Sequence, residues 1–114
     1  MSEGIISTHV LDTTRGEPAK GVTVTLLRIE GGKPLRLSSQ ETDADGRIAR
    51  LNPDRLSPGR YQLAFELEAH FRRQGGAEEF FARLALDFTV TDPGRRYHIP
   101  LLLSPYSCAS YRGS

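Results

Sequence analysis

The chain contains no tryptophan, one cysteine, one methionine and three histidines. A single cysteine excludes an intrachain disulfide framework, so the fold must be held by its core. An excess of charge of one sign is also missing: 15 Lys and Arg stand against 14 Asp and Glu, a net of +1. That balance provides no bulk electrostatic attraction to nucleic acid or to an anionic membrane surface. No apolar run approaches the ~18 residues of a membrane-spanning helix. Met1-Ser2-Glu3-Gly4 lacks the basic and apolar regions of a secretory signal, and Arg112-Gly113-Ser114 is not a peroxisomal Ser-Lys-Leu address. The expected location is therefore the cytoplasm. Repeats, low-complexity tracts and linkers are absent as well. With 114 residues, 38% of them hydrophobic and 25% charged, the chain is expected to form one globular domain over residues 1–114. A domain of this size buries roughly two-thirds of its unfolded surface, enough for a core without staples.

What is present is alternation with a period of two. In Val22-Thr23-Val24-Thr25-Leu26 one face is apolar and the other carries threonine. From Tyr61 to Glu68 the odd positions Tyr61, Leu63, Phe65 and Leu67 are apolar. From Leu84 to Val90 the even positions Leu84, Leu86, Phe88 and Val90 are apolar. Half-buried strands require this pattern, because successive side chains point to opposite faces. Ile5 to Leu11, Pro34 to Glu41, Arg47 to Leu51 and Tyr97 to Leu103 are further strand candidates. Pro34 and Pro100 cannot donate to a ladder, so an edge or a bulge is expected at each.

Asp45-Gly46 suits a type I′ hairpin turn, whose two central residues need positive φ. Asn52-Pro53-Asp54, Ser57-Pro58-Gly59 and Asp92-Pro93-Gly94 punctuate the later connections. Only Glu68 to Gln74 reads as helix, closed by Gly75-Gly76. Seven or eight short strands with one helix imply an all-β fold, a mostly antiparallel β-sandwich.

Few residues are equipped for chemistry. His9 and His98 lie in strands, where a side chain is held rigidly, and His70 lies in the short helix. The histidines lack the close pairing of a zinc site, so no metal is expected. Cys108 is either a nucleophile paired with a histidine or, as is commoner for a free thiol, a small packed residue. There is no Gly-x-Ser-x-Gly elbow and no phosphate-binding glycine loop. Asp43-Ala44-Asp45-Gly46 has neither the spacing nor the closing Glu of a calcium loop. Arg72-Arg73 and Arg95-Arg96 read as solvated loop charges. At the C-terminus, Arg112 offers a planar fork of donors for an anion, and Ser114 joins a hydroxyl to the terminal carboxylate.

The chain resembles the transthyretin-like 5-hydroxyisourate hydrolases. The likeness is carried by Ile6-Ser7-Thr8-His9-Val10-Leu11-Asp12, Gly16-Glu17-Pro18-Ala19, Gly21-Val22 and Thr42-Asp43-Ala44-Asp45-Gly46-Arg47. It continues through Gly59-Arg60-Tyr61, Phe80-Phe81 and Tyr97-His98-Ile99-Pro100-Leu101-Leu102-Leu103-Ser104-Pro105-Tyr106, and ends on Tyr111-Arg112-Gly113-Ser114. That last tetrapeptide is the mark that separates the hydrolases from the hormone-carrying transthyretins. Two departures stand out. Ala82 follows the Phe-Phe pair where the family has Pro, and Cys108-Ala109-Ser110 stands where it commonly reads Tyr-Ser-Thr.

The resemblance implies a transthyretin-like two-sheet sandwich. It also implies hydrolytic opening of a cyclic amide in 5-hydroxyisourate, a step of urate degradation, giving 2-oxo-4-hydroxy-4-carboxy-5-ureidoimidazoline without a cofactor. His9, Arg47, His98 and Ser114 would be catalytic, and His9, Arg47, Tyr111, Arg112 and Ser114 would contact the substrate. The histidines would form an acid/base pair. His9 is favoured as the base, although the sequence leaves open which of the two deprotonates water. Arg47 would bind and polarise the substrate. Asn at position 70 is expected to be nearly silent. The partners implied are the small-molecule substrate and three further copies of the chain. Those copies would form a dimer of dimers with sites in the dimer–dimer cleft. Two readings of other classes are a small-ligand carrier without chemistry and an adhesion-like structural sandwich. A carrier has no chemical need for His9, Arg47, His98 and the terminal tetrapeptide.

Overall fold

The computed structural model describes residues 3–75 and 80–113. In chain order the elements are β1 (Ile5–Asp12), β2 (Glu17–Pro18), β3 (Thr23–Glu30), β4 (Lys33–Glu41), β5 (Arg47–Ile48), β6 (Gly59–Glu66), α1 (Glu68–Arg73), β7 (Arg83–Val90), β8 (Arg96–Leu103) and β9 (Cys108–Ser110). They form two sheets. One has the order β2-β1-β8-β9, with β5 also paired to β1; the other has the order β4-β3-β6-β7. All pairings are antiparallel except β1 with β8, which runs parallel from Ile5↔Arg96 to Asp12↔Leu103. The expected sandwich is therefore present, with one parallel seam in it.

The core lies between the sheets. Its most enclosed side chains are those the alternation pointed inward: Val22, Val24 and Leu26, then Leu63, Phe65 and Leu67, joined by Ile6, Val10, Val90, Leu101 and Leu103. β7 alternates as expected, but Leu84, Leu86 and Phe88 are only partly buried because β7 is an edge strand.

Local chemistry explains where strands stop. The type I′ turn is not at Asp45-Gly46 but at Gly31-Gly32, the two-residue loop between β3 and β4, where φ is +58° and +77°. At Asp45-Gly46 only the glycine has positive φ. Asp43 organises that turn instead, its Oδ1 accepting from the backbone N–H of Asp45 and of Arg47 at 2.9 Å each. The candidate strand from Arg47 to Leu51 shortens to Arg47–Ile48. Beyond it, the buried side chain of Asn52 substitutes for backbone pairing, accepting from Ile6 N at 2.9 Å and donating to Gly4 O at 3.1 Å.

Pro34 sits on edge strand β4, and the β3–β4 register shifts nearby at Leu26/Leu27. Pro100 is in an interior strand, where its missing N–H interrupts one ladder. The β8–β9 pairing runs from Leu103↔Cys108 to Leu101↔Ser110 and resumes as the bridge His98↔Gly113. In the gap, Ser110 Oγ donates to Pro100 O at 2.7 Å.

The helix covers Glu68–Arg73, one residue shorter than expected, and Gly75 follows with φ +78°. Gly76 lies outside the described residues. Ala82 O accepts from both Leu67 N and Glu68 N at the helix start. That role uses only a carbonyl, so the Ala in place of Pro preserves it.

His70 departs from expectation. It is buried, and its Nε2 lies 2.9 Å from Asp12 Oδ2, a carboxylate equally enclosed at the end of β1. Asp12 Oδ1 in turn accepts from Thr14 N and Arg15 N. The helix is thus tied to the β1–β2 turn through one imidazole. Among the described residues His70 Nδ1 has no partner, which fits the tautomer with the proton on Nε2, donated to Asp12. Removing the imidazole leaves a buried carboxylate short of a donor. His70→Ala should therefore lower unfolding stability by about 2–4 kcal/mol in urea titration. A loss below about 0.5 kcal/mol, the usual range of an inconsequential surface change, would refute the tie.

Candidate active site

Strand register assembles the site. β1 buries its even residues and turns Ser7 and His9 to the outer face of the five-stranded sheet. Residues paired across neighbouring strands share a face. His9 is paired with Arg47 of β5 on one side and with Pro100 of β8 on the other, and Ser7 is paired with His98. His9, Arg47 and His98 thus meet on one face, although 38 and 51 positions of sequence separate neighbours in the set. The Asp43 turn holds the start of β5, and Gly46 lets it approach β1. Gly46 O accepts from Val10 N at 2.8 Å, and a Cβ on Gly46 would lie 2.4 Å from Val10 O.

A cavity of about 390 Å³ opens here, lined by Ser7, Thr8, Asp43, Arg47, Ile48, Ala49, Arg96 and His98. His9 adjoins it as the register partner of Arg47. His98 is half-buried, and Ser7 Oγ lies 2.9 Å from its Nδ1. Burial, then the Arg47 guanidinium, then His9 push its pKa below the ordinary histidine value of 6.5. The imidazole is therefore neutral at neutral pH, able to accept a proton or, from its protonated nitrogen, to donate a hydrogen bond. Arg47 is exposed to the cavity and supplies a fixed positive charge with five donors.

The tail is divided. Gly113 N donates to His98 O at 2.7 Å and so reaches the site. Arg112 does not: its guanidinium lies 4.7 Å from the centroid of the Tyr97 ring. Tyr97 and His98 alternate across β8, so Arg112 and Tyr111 line a second groove, of about 250 Å³, with Leu86, Phe88 and Ile99. Ser114 lies outside the described residues. Cys108 pairs with Leu103, packs against the core, and burial pushes its thiol pKa up, as suits a packing residue rather than a nucleophile. Among the described residues no cluster of three His, Cys, Asp or Glu could hold a metal ion. Ser7 and Asp43 were missed by the residue-by-residue reading. Ser7 stands two positions before His9, and in a strand that spacing alone places them on one face.

These causes make the His98 titration a measure of the site. By NMR its midpoint should lie below 6.5, and Arg47→Gln should move it up only partway, because burial is the larger cause. Because the folded pKa is lowered, His98 binds protons more weakly in the folded than in the unfolded chain. Its titration therefore costs stability as pH falls through 6.5, a cost absent above that value. A midpoint unchanged by Arg47→Gln would show that the guanidinium does not act on this imidazole.

The pattern described as the HIUase/Transthyretin family matches residues 6–113. A mouse protein named 5-hydroxyisourate hydrolase is 39% identical over 112 residues, covering 96% of this chain and 94% of its own. One of the same name from Caulobacter vibrioides is 38% identical, covering 96% and 97%. The structure of Klebsiella pneumoniae 5-hydroxyisourate hydrolase superposes with a TM-score of 0.85 at 42% identity over the whole of both chains. An (S)-allantoin synthase structure matches with a TM-score of 0.87 at 30% identity, over 99% of this chain and 44% of that one. The match over residues 6–113 and the relatives' 38–42% identity over nearly the whole chain place it in the HIUase/Transthyretin family, to which the chain belongs.

Proposed function

We propose that this protein, as a single domain over residues 1–114, hydrolyses 5-hydroxyisourate to 2-oxo-4-hydroxy-4-carboxy-5-ureidoimidazoline. The observation that carries the reading is the meeting of His9, Arg47 and His98 on one sheet face in a chain 38–42% identical to proteins of that name. Water adds across a ring amide: its hydroxyl ends on the carbonyl carbon, and its proton on the departing ring nitrogen. His9 takes that proton, and His98 is its partner in returning it. Imidazoles suit the task because their proton affinity lies close to neutrality. Negative charge gathers on the carbonyl oxygen as the tetrahedral intermediate forms, and Arg47 offsets it while holding the planar anionic heterocycle. Ser114 completes the substrate contacts from the tail, while Tyr111 and Arg112 turn to the second groove of their own chain. Every step uses a proton or a hydrogen bond, so no metal or other cofactor is invoked.

The assembly proposed is a homotetramer, a dimer of dimers that encloses the outer sheet face in its central cleft, in the cytoplasm. Its mass should be about 50 kDa in sedimentation, four times the 12.6 kDa chain. A monomer at micromolar concentration would rule it out.

The function is tested by generating 5-hydroxyisourate from urate and following its decay in ultraviolet absorbance. Added protein should accelerate the decay, and chelator should not abolish the effect. His9→Asn and His98→Asn should each lower kcat by roughly 10²–10⁴, with less effect on KM. Arg47→Lys keeps the charge and loses the fork, so it should damage both parameters. Deleting Ser114 should reduce activity in a protein that stays folded and tetrameric. Full turnover in both histidine variants would point to another catalytic centre, and no acceleration by the parent protein would favour a carrier.

A further inference from the structure

We propose that Ser7 is a positioning residue for His98, holding its ring by a hydroxyl that can serve either protonation state while Gly113 walls the opposite side. The inference rests on the catalytic reading above for its consequence, but not for its geometry.

Three contacts define the His98 ring. Ser7 Oγ lies 2.9 Å from Nδ1 and has no other hydrogen-bond partner among the described residues. Gly113 is the second: a Cβ built on it would lie 2.7 Å from His98 Cδ2, so only a glycine fits against that edge of the ring. The third is the 2.7 Å bond from Gly113 N to His98 O, which fixes the distance between that wall and the ring's own backbone. With Nδ1 engaged by Ser7, Nε2 is the nitrogen left for a ligand.

The choice of a hydroxyl has a chemical consequence. A carboxylate opposite Nδ1 would accept a hydrogen bond from Nδ1–H, hold the proton on that nitrogen and favour the imidazolium. A backbone carbonyl would likewise impose one tautomer. A serine hydroxyl rotates: it donates to bare Nδ1 and accepts from Nδ1–H. The ring can therefore adopt either neutral tautomer, or the imidazolium, without displacement of any heavy atom. Arg47 from β5 and His9 from β1 act on the ring, and Asp43 from the turn before β5 and Arg96 from β8 itself line the same cavity. Two of these, Arg47 and His9, disfavour the imidazolium. A neutral partner at Nδ1 leaves that bias intact, whereas an acidic one would oppose it.

The test uses the full-length chain with Ala, Thr and Asp in turn at position 7 and Gly113→Ala. Each is checked by thermal melting and read in two ways. In the ultraviolet decay assay, Ser7→Ala should lower kcat by about 5–10-fold, the value of one ordinary hydrogen bond, with KM nearly unchanged. Ser7→Thr, which keeps the hydroxyl, should restore it. By NMR, Ser7→Asp should raise the His98 midpoint by about one to three pH units and move the acid limb of the pH–rate profile with it. Gly113→Ala should perturb the His98 ring resonances. Ser7→Ala with unaltered kcat and unaltered His98 resonances overturns the proposal, as does a Ser7→Asp midpoint equal to that of the parent. If the parent protein does not hydrolyse 5-hydroxyisourate, the assay arm fails for every variant alike. The NMR arm still decides whether Ser7 positions His98.

Discussion

The parallel pairing of β1 with β8 is the constraint on which the rest depends. It joins segments 91 residues apart and sets Ser7 beside His98 and His9 beside Pro100. The same register points Ile6, Val10, Leu101 and Leu103 inward, where they are fully enclosed. A shift of one residue would exchange the two faces, sending the histidines into the core and the aliphatic residues to solvent. Site and core are therefore specified by one register. Even the inward polar residue Thr8 reinforces it, donating to Ile99 O at 2.6 Å across the seam.

Both outer borders of that seam serve the site. On the far side of β1, the Asp43 turn and Gly46 bring Arg47 opposite His9. On the far side of β8, the chain's last described residues return along the strand. Pro100 interrupts that ladder, and the interruption is where Tyr111 and Arg112 lie. Freed from regular pairing, Arg112 turns to the Tyr97 ring, and the ladder closes again one residue later at Gly113. A proline in an interior strand is costly to sheet pairing. Here Ser110 Oγ satisfies the carbonyl that the interrupted ladder leaves over.

Much of this was legible in the sequence because it is written with a period of two. The faces of β3, β6 and β7 follow from alternation alone. Resemblance carried His9, Arg47 and His98, which no local spacing links, since register brings them together. What escaped has identifiable physical causes. The Asp45-Gly46 pair looked like a type I′ turn, but the carboxylate of Asp43 captured two N–H groups and kept Asp45 at negative φ. Gly31-Gly32 took that turn instead. The strand after Arg47 ended early because the Asn52 side chain can do the pairing of a backbone. His70 read as peripheral because a helix of six residues shows too little periodicity to reveal its buried face. Its partner, Asp12, lies 58 positions away.

The placement of the site carries a last consequence. An outer sheet face is open to water, and Arg47 and Arg96 are both exposed in the isolated chain. Electrostatic stabilisation of a developing oxyanion is weak in such surroundings, because water screens the guanidinium and hydrates the substrate. The half-burial of His98 already disfavours its charged form, so the pocket floor is drier than its rim. Enclosing the rim would strengthen the pull of Arg47 on the oxyanion and would further favour neutral imidazole. A second copy of the chain laid over this face, as in the proposed assembly, would do both. On this reasoning the proposed tetramer is part of the chemistry, and the tail, close to the rim, is where the two meet.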